Sequence, residues 1–151
     1  MSNIIGGIEL DAVVSRKGYQ IWKKLSSDGC SFWGVGDFCG LHDSEARKEQ
    51  DLVSLEWEGN EIYVDYSSDV ISLVIYALGV AKSWKEQMES EYNSVPFDII
   101  LSVDDGSEVG SPSVTLRFWA VRNGEHYVTP SIDELERFKQ PVLMECVNYV
   151  M

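Results

Sequence analysis

Two histidines, three cysteines and 25 acidic side chains are the chemically capable residues of this 151-residue chain. A histidine acts as a general base or a metal ligand only with partners at a workable spacing. His42 and His126 stand far apart in the sequence, and neither has a second ligand or a nucleophile at such a spacing. Cys30, Cys39 and His42 could supply three zinc ligands, but their spacing fits no common structural site and no further cysteine pair follows to close one. They read instead as small, partly buried thiols in an aromatic-rich stretch. The run GVGDFCG at 34–40 lacks the third glycine of a dinucleotide loop, and the chain holds no phosphate-cradling GxxxxGK[ST]. Asp104-Asp105-Gly106-Ser107-Glu108 has neither the length nor the ligand spacing of a calcium loop, and its residue types are those of a solvated turn. Acids this numerous approach one another by chance, so paired carboxylates alone specify no acid–base chemistry. The expectation is no metal, no cofactor and no enzyme. Its rival is a small hydrolase or transferase that uses His42 or His126 with neighbouring carboxylates.

Charge says more than any motif. Against 25 acids stand 12 Lys and Arg, giving −13 at neutral pH and a pI near 4.4. That excess repels phosphate backbones, which argues against direct nucleic-acid binding and for a basic protein partner. The acids are unevenly spread. Glu56, Glu58, Glu61 and Asp65 fall in one segment and Asp104, Asp105 and Glu108 in another, while Arg16, Lys17, Lys23 and Lys24 gather near the N-terminus. These seven acids are the candidate partner-binding residues. Trp57, Tyr63, Trp119 and Tyr127 are the aromatics that would anchor an interface if they reach its surface.

To carry such a surface the chain must fold, and 44% hydrophobic residues are enough for a core. Its length predicts one domain over residues 1–151. No run approaches the ~18 apolar residues of a membrane span. The first residues lack a basic region and a cleavage site, and an odd number of cysteines suits reduced thiols, so a cytoplasmic location is expected.

Residues 11–25 carry Val14, Ile21 and Leu25 at helical spacing, weakened by Gly18; 28–40 reads as loop with one strand, and 42–51 as a short exposed helix or a loop. Leu52–Trp57 and Glu61–Tyr66 alternate apolar and polar around Glu58-Gly59-Asn60 and predict a β-hairpin with one wet, acidic face. Residues 69–91 predict the central helix, with Ser67, Ser68 and Asp69 as cap candidates and Val70, Val74, Ala77, Ala81, Trp84 and Met88 as its apolar stripe. Its apolar first half should be buried and its charged second half exposed. Phe97–Val103, Val114–Arg122 and Glu125–Thr129 predict three more strands, the last two joined by the hairpin signal Asn123-Gly124. Ser131-Ile132-Asp133-Glu134 starts a C-terminal helix after Pro130, and 141–151 fits either helix or strand. The fold class is therefore α+β: a bent antiparallel sheet of about five strands with the central helix on one face.

In size, acidity, hairpin-rich layout and lack of a catalytic signature, with 97–138 as the most suggestive stretch, the chain resembles the small immunity proteins of bacterial polymorphic-toxin systems, contact-dependent growth inhibition among them. The resemblance is one of type and brings no site residue with it. It implies tight binding to the C-terminal domain of a cognate toxin, here a basic nuclease, with its active site or substrate access blocked. A DNA mimic is a further alternative, but it would need a denser acid array with fewer than these 12 basic residues.

Overall fold

A computed structural model describes residues 19–26, 29–36, 49–108, 110–124 and 141–149. It contains β1 (Ile21–Leu25), β2 (Ser31–Val35), α1 (Glu49–Gly59), β3 (Ile62–Val64), α2 (Val70–Glu91), β4 (Phe97–Asp104), β5 (Ser113–Ala120) and β6 (Val142–Val147). β1 and β2 form a two-stranded antiparallel sheet, and the others form a four-stranded antiparallel sheet in the order β3-β5-β4-β6. The fold is α+β, with six described strands in two sheets rather than about five in one.

α2 forms where the sequence predicts it. Asp69 caps it, its Oδ1 accepting from the Ile71 amide at 3.2 Å and its Oδ2 from the Ser72 hydroxyl at 2.8 Å. The fully buried stripe is Leu73, Ala77, Val80, Trp84 and Met88, set against Val114, Leu116 and Phe118 of β5 and Phe97, Ile99 and Leu101 of β4. Trp84 meets Phe118 edge-on with centroids 4.9 Å apart. Each such side chain contributes about 2 kcal/mol through removal from water. The expectation of a helix half buried all round is corrected: Ile71 is 65% and Leu78 40% exposed, because one helix on an open sheet buries only one stripe.

Two further expectations are corrected. Leu52–Trp57 lies within helix α1, and β3 pairs with β5 instead of with it. Over six residues, Leu52, Leu55 and Glu56 sit at i, i+3 and i+4, so the helical period fits as well as the alternating one; Leu52, Leu55 and Glu56 are all fully buried. Residues 21–25, expected at the end of a helix, are strand β1. There Gly34 faces Trp22 across the pair, and a Cβ on it would lie 2.2 Å from the indole, so only glycine leaves room for the ring. Between the two readings of 141–151, residues 142–147 take the strand. Asn123 and Gly124 have φ of +56° and +71°, as their turn requires. The strand expected at 125–129 and the helix expected to start at 131 lie outside the described residues.

Side chains, not a shared ladder, join the two sheets. Gln87 of α2 takes both main-chain groups of Ile21 in β1, donating to its carbonyl and accepting from its amide, each at 2.8 Å. Asn60 donates to the Trp33 carbonyl of β2 at 3.0 Å and to the Phe118 carbonyl of β5 at 3.3 Å. One hydrophobic cluster then runs through Ile21, Trp33 and Val35 of the small sheet into the large one.

Candidate functional site

Among the described residues two polar constellations bear on function, one inside and one on the surface. The inner one centres on Glu56, expected on a wet face but 0% exposed. Its Oε2 accepts from the Trp33 amide and from Arg122 Nη2, both at 2.8 Å; its Oε1 accepts from the Ala120 amide and from Arg122 Nη1, both at 2.9 Å. Arg122 continues to the Ser31 and Ala120 carbonyls at 3.1 and 3.2 Å. Burial pushes the Glu56 carboxyl above its ordinary range, while Arg122 and the two amides pull it back down. Both oxygens are engaged and closed to solvent, so Glu56 offers nothing to a partner or substrate. It ties α1 to β2 and β5. Placing it among the partner-binding residues is corrected, and the cause is the helical geometry that turns it inward.

The outer constellation lies on the large sheet's second face, the one away from α2. Alternation along the paired strands puts Tyr63 and Asp65, Ser113 and Thr115, and Ser102 and Asp104 on that face. α1 covers the far end of the face, where Val53 and Trp57 pack on Trp119 and Ile100. The end nearer Asp104 is open. Tyr63 is 59% exposed on this face, Asp65 is exposed beside it, and Asp104 is half-buried. Tyr66, 64% exposed, turns to the other side, where its ring lies 5.5 Å from that of Tyr76 in α2. Asp104 closes β4 opposite Ser113 of β5, one position beyond the level of Val64, so Asp65 and Asp104 come to the same edge.

The β4–β5 connection adds two more carboxylates there. Asp104 Oδ1 accepts from the Gly106 amide and Asp105 Oδ1 from the Ser107 amide, each at 2.9 Å. The Ser107 amide, helped by its hydroxyl, holds the fully exposed Asp105 carboxyl below its ordinary range. Gly106 has φ +81°, and a Cβ on it would lie 2.5 Å from the Ser111 carbonyl carbon, so the turn requires glycine. Glu108 is exposed beside it. Among the described residues no lysine or arginine forms an ion pair with Asp65, Asp104, Asp105 or Glu108.

Of the seven sequence candidates, the structure thus gathers four: Asp65, Asp104, Asp105 and Glu108. Glu61 sits farther along the same face, bound to Arg117, which also donates to the Trp57 carbonyl at 2.6 Å and stacks 4.5 Å over the Trp57 ring. Glu58 is exposed near the end of α1. Of the aromatic candidates Tyr63 is exposed, Trp119 is fully buried and Trp57 is half-buried; Tyr127 lies outside the described residues. Tyr66, expected as the last residue of the strand Glu61–Tyr66, lies beyond β3, which ends at Val64.

Both histidines and Cys39 lie outside the described residues, and no cluster of potential metal ligands occurs among those described. Cys30 packs beside Phe32, Leu52 and Leu55 as a small hydrophobe, and burial pushes the Cys146 thiol up, away from a reactive thiolate. No described helix is long and apolar enough to cross a membrane. No protein-family model matches the chain, and neither the curated proteins nor the solved structures contain a match.

Proposed function

We propose that the chain is a cytoplasmic immunity protein that binds the C-terminal domain of a cognate basic nuclease toxin and blocks its active site or its access to nucleic acid. The observation that carries this reading is the open sheet end, where Asp65, Asp104, Asp105 and Glu108 stand without cationic partners among the described residues beside exposed Tyr63. A nuclease holds phosphate with lysine and arginine, and unpaired carboxylates on a rigid frame compete for those same cations. Tyr63 adds large, stiff contact area at small entropic cost, the usual kind of anchor of a binding hot spot.

The first test is co-expression with the toxin domain encoded immediately upstream of this chain's gene. A stable 1:1 complex and loss of toxicity are expected. A variant with Asp65, Asp104, Asp105 and Glu108 all changed to Lys should fold but associate at least ~100-fold more slowly at low salt, because steering by opposite charge accelerates association by 10–1000-fold. Binding and protection that match the unaltered chain would overturn the acidic-end reading. Failure of the unaltered, folded chain to bind would overturn the pairing itself.

A further inference from the structure

Among the described residues, the sheet edges other than that of β6 are blunted. The outward main-chain groups of Ile21 in β1 are held by Gln87, and those of Trp33 in β2 by Glu56 and Asn60. β3 is only three residues long, and along β5 beyond it Asn60 and Glu56 take the Phe118 carbonyl and the Ala120 amide. β6 differs. It is six residues long, VLMECV, with no lysine or proline inside it, and no described strand pairs with its outer side. The Val103 amide donates to the Pro141 carbonyl at 3.0 Å, which fixes the phase of the β4–β6 ladder. Pro141, Leu143, Glu145 and Val147 therefore turn their main chain toward β4. Val142, Met144 and Cys146 turn theirs outward. Natural sheets protect such edges, and an unprotected one is a template for another strand.

The side chains next to this edge indicate which strand it receives. Leu143 is 54% exposed and lines a groove of about 130 Å³ with Leu78, Lys82, Lys85 and Glu145. In a chain of net charge −13, this patch carries two lysines and one glutamate. Lys85 pairs with Glu145 at 3.5 Å; Lys82 has no ion pair among the described residues. Pairing β6 with itself, antiparallel about a two-fold axis at Met144, sets Leu143 opposite Glu145 of the second copy and brings that carboxylate toward Lys82. The patch is thus complementary to itself in charge, as an isologous interface requires. We propose that β6 is a dimerisation edge: two copies join their sheets through β6 into one eight-stranded sheet, leaving the acidic ends free.

The test is the solution mass of the full chain as a function of concentration, by light scattering. The expected result is a shift toward twice the 17.0 kDa chain mass as concentration rises from about 1 µM to 1 mM. A weak association is expected because two edge strands and the side chains flanking them form a contact small beside the ~800 Å² per partner of stable complexes. Met144→Pro removes an outward N–H that the molecule's own sheet does not use, together with a side chain packed on Ile100 and Trp119; folding is checked by circular dichroism, and the folded variant should lose the mass shift. A second measurement covers the case in which that variant unfolds. Met144→Cys, with the three native cysteines changed to Ser, faces itself across the axis at ~5.5 Å between Cα atoms and should cross-link on mild oxidation. A monomer throughout the range, a dimer untouched by a folded Met144→Pro, or a dimer that Met144→Cys does not cross-link would each overturn the assignment.

Discussion

Removing the Glu56 carboxylate should be among the most damaging single changes available to this protein. Glu56→Ala withdraws the acceptor from two amides, Trp33 and Ala120, and from both terminal nitrogens of Arg122, in a place where Glu56 has no solvent contact. An orphaned buried donor costs ~1–3 kcal/mol, and breaking a buried ion pair from one side costs ~3–5 kcal/mol, much of it the same loss counted from the other partner. The total should be about 5 kcal/mol, a third or more of the ~5–15 kcal/mol that holds a domain together. Glu56→Gln keeps the shape but points an NH₂ group at donors and should cost about 3 kcal/mol by the same reasoning. Urea unfolding followed by tryptophan fluorescence reads this directly: with a slope of ~2 kcal/mol per molar, the midpoint of Glu56→Ala should fall by ~2.5 M. The cycle with Arg122→Ala is the sharper measurement. Each single change leaves the other partner stranded, so the double variant should be less damaged than the two losses added, by about 2 kcal/mol. A loss below ~1 kcal/mol for Glu56→Ala, or strict additivity with Arg122→Ala, would refute the reasoning.

Other expectations follow from the same geometry. Gly106→Ala should destabilise by ~2 kcal/mol or more and Gly124→Ala by ~1 kcal/mol, since both need positive φ but only Gly106 has main chain within 2.5–2.9 Å of the new methyl; equal losses in thermal unfolding would argue against the loop as described. Met88→Ala should cost ~2–5 kcal/mol through the cavity left beneath α2, measured the same way. The Tyr149 hydroxyl donates to Asp98, and burial, followed by the Asp98 carboxylate, pushes its pKa up. The unfolded phenol ionises near pH 10 and the folded one above it, so this contribution is complete below pH 10 and lost as pH rises beyond it. Tyr149→Phe should therefore lose less stability between pH 9 and 11 than the unaltered chain; parallel slopes would contradict this.

What the sequence discloses and what it conceals divide along physical lines. The central helix was legible because its stripe runs for many turns and Asp69 caps it; the Asn123-Gly124 turn because few residue pairs accept positive φ twice. Local chemistry writes both. Leu52–Trp57 is too short to separate the two periods, and what decides it is the fit of Leu52 and Leu55 against Phe32. The inward turn of Glu56 was beyond reach, since Arg122 lies 66 positions away. The gathering of Asp65 with Asp104, Asp105 and Glu108 depends on β3 pairing with β5, another long-range event; the sequence marked the acids but not their common edge.

The side-chain ties between the two sheets bear on the order of assembly. Gln87 reaches Ile21 across 66 positions, Asn60 reaches Trp33 across 27, and Arg122 reaches Ser31 across 91. β1 and β2 can close locally through their short turn, whereas every tie to the rest of the chain encloses a long loop that must first lose its freedom. The small sheet should thus settle onto a nucleus of α2, β4 and β5 that already exists, and weakening Gln87 or Asn60 should hasten unfolding while leaving the folding rate nearly untouched. In the native protein it becomes a door on its own hinges: the amides of Ile21 and Trp33 should exchange with solvent through a partial opening, at lower free energy than those of Leu116 and Phe118 in the sheet's middle.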